Sequence, residues 1–199
     1  MPAKDWLPAS VRAAAIDRKL KSGEPLFRLG DKTAGLYEVI TGRVRLARVD
    51  RSGHEIVLYV AGPGETIAEA SLFSPQYHCD AIANTNATVR IYPKREVLIA
   101  LERDPKSARA FSATLARQVM SLRTRIEQRN IRSARERVWH YLVLNVGADG
   151  RTVELRQTLK DIAAEIGLTH EALYRAVAAL ERDGAIRRGR EKITLLRHV

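Results

Sequence analysis

The 199-residue chain carries one cysteine, Cys79, two methionines and only 6% aromatic residues. A single thiol excludes an internal disulfide and an iron–sulfur cluster ligated by cysteines of one chain, because such clusters need several thiolates. No apolar run approaches the ~20 residues of a membrane-spanning helix. The opening stretch, MPAKDWLPASVRAAAIDRKLKSG, lacks the apolar segment of a signal peptide. A cytoplasmic protein with no membrane partner is therefore expected. The five histidines show no metal-ligand spacing, and HExxH, paired CxxC and P-loop motifs are missing. No enzyme, metal site or resident cofactor is expected from this inventory.

What the chain does have is positive charge, +11 in total, and it is placed unevenly. Residues 1 to 102 hold 14 Lys and Arg against 12 Asp and Glu, whereas residues 103 to 199 hold 20 against 11. A basic excess confined to one half is the electrostatic footprint of a module that binds phosphates and releases counterions.

Within that basic half, TLKDIAAEIGLTHEALYRAVAALERDGAI (residues 158 to 186) reads as two short helices joined at Gly167. Leu159, Ile162, Ala163 and Ile166 recur at helical spacing and stop at a glycine, which tolerates the left-handed conformation that ends a helix. Thr169 stands where an N-cap is favoured, and Ala172, Leu173, Ala176, Val177 and Leu180 form a second stripe ending at Gly184. His170, Glu171, Tyr174 and Arg175 fall on the opposite face, in the first two turns. A recognition helix presents base-reading side chains from there, with arginine suited to guanine and glutamate to cytosine N4. The alternative is an exposed Glu171/Arg175 pair that merely supports the helix by ~0.2–0.5 kcal/mol. Beyond it, IRRGREKITLL places Arg187, Arg188, Arg190 and Lys192 around Gly189 between apolar runs, a basic hairpin suited to backbone phosphates.

The first half differs in character. From about Leu26 to Pro93, short β-branched and aromatic runs (LYEVI, RVRLARV, EIVLYV, ATVRIY) alternate with glycine-containing turns and predict a barrel or jelly roll. Val44, Leu46 and Val49 on one arm and Ile56, Leu58 and Val60 on the other, with DRSGH between, predict a hairpin. After Pro105 no glycine or proline occurs until Gly147, which predicts a long helix, broken near Asn130 to Ser133. Phe111, Leu115, Val119, Leu122 and Ile126 follow near-heptad spacing. That stripe fits either a dimer seam or packing on its own domain.

The run from Gly30-Asp31 through Tyr37, Gly42 and Val44, followed by GPGETIAEASLF at residues 62 to 73, looks like a cyclic-nucleotide-binding β-roll. With the C-terminal motif, nearly the whole chain resembles the cyclic-AMP receptor protein / fumarate-nitrate regulator (Crp/Fnr) superfamily of bacterial transcription regulators. The resemblance implies an α+β chain: a sensor β-roll at 1–102, a dimerisation helix at 103–132 and a winged helix-turn-helix at 133–199. It implies a homodimer through the Phe111-to-Ile126 seam, bound to palindromic double-stranded DNA, with RNA polymerase a further partner if the protein activates. Thr169, His170, Glu171, Tyr174, Arg175, Arg187, Arg188 and Arg190 are the implied DNA contacts.

The implied effector pocket comprises Glu69, Cys79, Asp80, Leu122 and Arg123, and it departs from the nucleotide-binding pattern. Glu69 is kept for a ribose hydroxyl, but Ala68 replaces the preceding glycine, and the Arg-Ser pair that holds the cyclic phosphate falls on Cys79-Asp80. A carboxylate there repels phosphate, and the charge-assisted bonds of arginine are gone. Cyclic AMP is not expected to bind in the usual way. The haem ligands of the family fall at about Ala68 and Ala70, so haem is not expected either. Two alternatives stand beside this reading: that Cys79, beside His78, is a reactive thiol of a redox or metal sensor, and that the protein is a nucleotide- or redox-sensing subunit acting on a protein partner.

Overall fold

A computed structural model describes residues 6–155 and 158–196 of the chain, which divides into two compact units, Met1–Val119 and Met120–Val199. Among the described residues no helix is long and apolar enough to cross a membrane.

In the first unit a short helix α1 (Ala9–Ala13) precedes β1 (Ile16–Leu20), β2 (Pro25–Phe27), β3 (Gly35–Thr41), β4 (Val44–Val49), β5 (Glu55–Ala61) and β6 (Thr66–Ile67). A 3-10 turn at Glu69–Phe73 leads to β7 (Asp80–Ala83), β8 (Ala87–Pro93) and the helix α2 (Lys94–Arg103). The strands form two four-stranded sheets, ordered β1-β8-β3-β6 and β2-β7-β4-β5, with antiparallel neighbours throughout. Both sheets contribute to one core containing Phe27, Tyr37, Val39, Val44, Ala61, Ile67, Tyr77 and Val89. Burying each such valine contributes roughly 1.5–3 kcal/mol. Phe27 stacks on Tyr77 with ring centroids 3.7 Å apart, and the Tyr77 hydroxyl meets that of Tyr37 at 2.7 Å. A second cluster gathers Trp6, Leu7, Val11, Leu36, Leu72, Tyr92, Val97 and Phe111.

The predicted hairpin is β4 and β5, but its inward set is not a simple alternation. A bulge between Leu46 and Ala47 shifts the register, so that Val44 and Ala47 are buried while Val49, Ile56 and Leu58 are exposed. An extra residue on one strand turns the following side chains to the opposite face. At the β3–β4 turn Gly42 has φ +75°, and a Cβ there would strike the Asn86 backbone.

The long helix α3 spans Pro105–Asn130 and contains the boundary between the units. The predicted break is present: residues 131–133 are non-helical, and Ser133 caps α4 (Ala134–Leu144) by accepting from the Glu136 N–H at 3.3 Å. The second unit continues with β9 (Thr152–Glu154), α5 (Leu159–Glu165), α6 (His170–Arg182), β10 (Ile186–Arg188) and β11 (Lys192–Leu195). Its core joins Val138 and Leu142 of α4 to Ile162, Ile166, Leu173, Val177, Leu180, Ile186 and Ile193.

The seam expectation needs correction at its N-terminal end. Phe111 is only 4% exposed, with Trp6 and Phe73 ring centroids 5.2 and 6.3 Å away, and Leu115 packs partly against the same cluster. An aromatic shell within its own unit already covers Phe111, so it is not a free dimer contact. Val119, Leu122 and Ile126 are 47%, 53% and 61% exposed.

Candidate nucleic-acid interface and sensor site

Each helix of the two-helix motif is started and stopped by local chemistry. Thr158 and Asp161 form a reciprocal capping box at the head of α5. At its other end the Gly167 N–H donates to Ala164 O at 3.3 Å and the Leu168 N–H to Ala163 O at 2.8 Å. This is a Schellman closure, and it needs the left-handed φ of +67° at Gly167. Thr169 then caps α6, its hydroxyl accepting from the Ala172 N–H at 3.1 Å. Such a cap contributes about 1 kcal/mol.

The inner face of α6 buries Leu173, Ala176, Val177 and Leu180, as the spacing predicts, with Ala172 half-buried at its edge. Thr169, His170, Glu171, Tyr174 and Arg175 are all exposed on one side of the helix's first two turns. Among the described residues Glu171 and Arg175 approach within no ion-pair distance, although the Arg175 charge still attracts the Glu171 carboxylate. The Glu171 carboxyl is held below the usual carboxylate range. The causes are its own backbone N–H, then the Thr169 hydroxyl, with smaller attractions from His170 and Arg175. It is a charged acceptor at the positive end of a helix.

The wing is part of a three-stranded sheet, β10-β11-β9, one strand more than the sequence suggests. Arg187 pairs with Thr194 and Arg188 with Ile193, and Gly189 N–H closes the turn onto Lys192 O at 2.8 Å. Arg187, Arg188 and Arg190 are exposed. Arg188 does more than the sequence implies. Its guanidinium lies 5.3 Å from the Tyr174 ring centroid, its backbone N–H donates to Glu181 Oε1 at 3.1 Å, and the His170 ring meets Tyr174 edge-on at 4.5 Å. The β10–β11 hairpin and α6 are thus joined through a cation–π contact worth about 0.5–1 kcal/mol at an exposed site.

In the β-roll, Glu69 is buried and already partnered. Its Oε1 accepts from the Thr66 hydroxyl and from Gln118 Nε2, the latter at 2.8 Å. Sequence reasoning missed Gln118, which lies in α3 four residues before Leu122. Ala68, just before Glu69, has φ 72°, the left-handed region glycine favours, and is the one non-glycine residue so placed among those described. Asp80 accepts from the Leu29 N–H at 2.7 Å and lies 3.8 Å from Arg28. Leu122 and Arg123 are exposed on α3 and belong to the second unit, whereas Glu69, Cys79 and Asp80 belong to the first.

The reactive-thiol expectation is not supported. Cys79 is buried, burial pushes its thiol pKa up, and the smaller attraction of Arg48 does not reverse that. The neighbouring His78 ring bonds to the Ser71 hydroxyl at 3.1 Å, while the His78 carbonyl accepts from Arg48 Nε at 2.7 Å.

Comparison with known proteins matches this two-part architecture. Residues 17–104 match the cyclic nucleotide-binding domain family, and residues 136–198 match the Crp-like helix-turn-helix domain family. The chain is 30% identical over 173 residues to the cyclic AMP receptor protein of Thermus thermophilus, covering 86% of this chain and 80% of that protein. It is 29% identical over 171 residues to the nitrogen fixation regulation protein FixK of Bradyrhizobium diazoefficiens, covering 83% and 71%. The solved structure of FixK2 from Bradyrhizobium japonicum shares the fold with a TM-score of 0.75 at 23% identity, covering 92% of this chain and 93% of that one. A nucleotide-binding-type β-roll, a long helix and a capped helix-turn-helix in this order make the chain a member of the Crp/Fnr family, a transcription regulator with a helix-turn-helix DNA-binding domain.

Proposed function

We propose that the protein works as a homodimer that reads a palindromic operator through α6, with Glu171 and Arg175 contacting base edges. The observation that carries this reading is the exposed row Thr169, His170, Glu171, Tyr174 and Arg175 on a helix whose opposite face is fully packed. Arg187 and Arg190 on the wing supply phosphate contacts, and Arg188 serves both the wing and the Tyr174 ring. The exposed apolar residues Val119, Leu122 and Ile126, spaced by three and four, form the dimer seam. Twofold symmetry then sets two recognition helices about 34–36 Å apart, in successive major grooves.

Cyclic AMP does not control this regulator in the usual way. Glu69 is satisfied by Thr66 and Gln118, and the place of the phosphate-holding arginine is taken by Cys79-Asp80, whose carboxylate faces Arg28 and the Leu29 N–H. An anionic ligand there meets a carboxylate instead of a free guanidinium. The family's haem-ligand positions fall on Ala68 and Ala70, and a single cysteine does not supply the thiolates of an iron–sulfur cluster, so neither group is assigned to this regulator.

The test is to retain genomic DNA fragments on the purified protein and sequence them, with sedimentation for the dimer and calorimetric titration of cyclic AMP. A shared inverted-repeat sequence among retained fragments supports the reading. Retention without sequence preference, a monomer at operator-binding concentrations, or micromolar cyclic AMP binding would each overturn the corresponding part.

A further inference from the structure

Arg137, in the first turn of α4, is absent from every motif above, yet its guanidinium donates to four main-chain carbonyls on two separate segments. Nε and Nη2 reach Ile131 O at 3.0 and 2.6 Å, and Nη2 also reaches Arg129 O at 3.0 Å. Nη1 reaches Ile166 O at 3.2 Å and Gly167 O at 3.0 Å. The first pair of carbonyls belongs to the end of α3 and the break after it, and the second to the turn of the helix-turn-helix.

Carbonyls at helix C-termini have no partner inside the helix and carry the negative end of its dipole, so a cation there is doubly favoured. The Arg129 side chain, from α3's last turn, lies beside the same turn: a Cβ on Gly167 would be 3.5 Å from Arg129 Nε and 3.6 Å from its Cγ. All of these residues lie within the second unit.

We propose that Arg137 is a positioning residue for operator reading, a clasp that fixes the turn of the helix-turn-helix to the end of α3. The proposal rests on α6 being the reading helix. In a dimer joined through α3, the clasp sets the separation of the two recognition helices, so its loss acts on the spacing of half-sites more than on contact with either one. Only arginine fits the role. Its planar fork spreads donors toward both segments, whereas lysine concentrates three donors on one nitrogen.

The test uses the full-length protein and its Arg137→Gln and Arg137→Lys variants, each keeping part of the aliphatic stem. Binding is measured to the selected operator, to a single half-site, to random DNA and to operators with the half-site spacing altered by one or two base pairs. Both variants should lose about tenfold or more on the intact operator while staying within about twofold on half-site and random DNA, as expected for charge-assisted bonds that orient without touching DNA. Their preference for one spacing should flatten, and amide exchange at Ile131 and Leu168 should speed up. Unchanged spacing preference and exchange in Arg137→Gln, full rescue by lysine, or an equal fall on all DNA would overturn the clasp. If wild-type protein selects no operator, the reading role of α6 fails, and the exchange rates still decide whether Arg137 holds the two segments together.

Discussion

Gln118 Nε2 donates to Glu69 Oε1 at 2.8 Å, on the same oxygen that accepts the Thr66 hydroxyl. This buried carboxylate is thus bonded to α3 by the protein's own amide. Gln118→Ala leaves that buried group one donor short, at a cost of about 1–3 kcal/mol. Urea denaturation followed by a probe in the β-roll should show a lower midpoint with an unchanged slope.

Ala68 occupies backbone space that penalises any side chain by roughly 1–2 kcal/mol. Ala68→Gly removes the strain but loosens the unfolded chain, which offsets about 0.4–1 kcal/mol. The net expectation is a stabilisation on the order of 0.5–1 kcal/mol, seen as a raised thermal midpoint. Ala68→Val should lower it.

Arg175→Ala should weaken operator binding by roughly 1–3 kcal/mol and relax preference at one base pair, whereas Arg190→Ala should weaken all DNA alike and lower the salt slope by about one. Tyr174→Phe keeps the ring under Arg188 and should keep wing geometry, while Tyr174→Ala should not. Titrations of operator, single-base variants and random DNA at several salt concentrations separate these outcomes.

Asp149 accepts from the Arg151 and Thr152 N–H groups at 3.0 and 2.9 Å, and its pKa is lowered to about 2, with the hydrogen bonds to Thr152 the largest cause. A carboxyl depressed in the folded state favours folding above the unfolded pKa, ~3.9. That contribution fades as pH falls through about 2. An NMR titration should show the Asp149 carboxyl and the Arg151 and Thr152 amides moving together near the lower value. A midpoint close to 4 would contradict the turn.

Burial and a raised pKa should make Cys79 slow to alkylate. Iodoacetamide at neutral pH should modify it far more slowly in the native protein than in urea, and the response of DNA binding to mild peroxide should be the same in the wild-type protein and in Cys79→Ser.

Helix α6 was legible because its signals are local: Thr169, Gly167 and Gly184 punctuate apolar stripes that the fold then buries. The fold class and the break after Asn130 were equally readable. Periodicity alone does not say what a stripe packs against, which is why Phe111 looked like part of a seam although Trp6 covers it. Strand β1 was hidden for the opposite reason: Ile16 to Lys19 are exposed, so no alternation marks them. Strand β9 is only three residues long. Gln118 and Arg137 carry no motif, and each has partners distant in sequence, 49 residues away for Glu69 and 29 and 30 for Ile166 and Gly167.

The segment from the Thr158 capping box to Gly184 sets its own helix ends. The Gly184 N–H closes onto Glu181 O at 3.0 Å and the Ala185 N–H onto Leu180 O at 2.9 Å, repeating the closure at Gly167. The length of α6 therefore depends on none of its outward side chains except the Thr169 cap. Positions 170, 171, 175 and 178 are exposed and open to substitution without moving the helix that carries them. The outward surface of α6 can therefore change by a handful of substitutions while the fold that holds it stays the same.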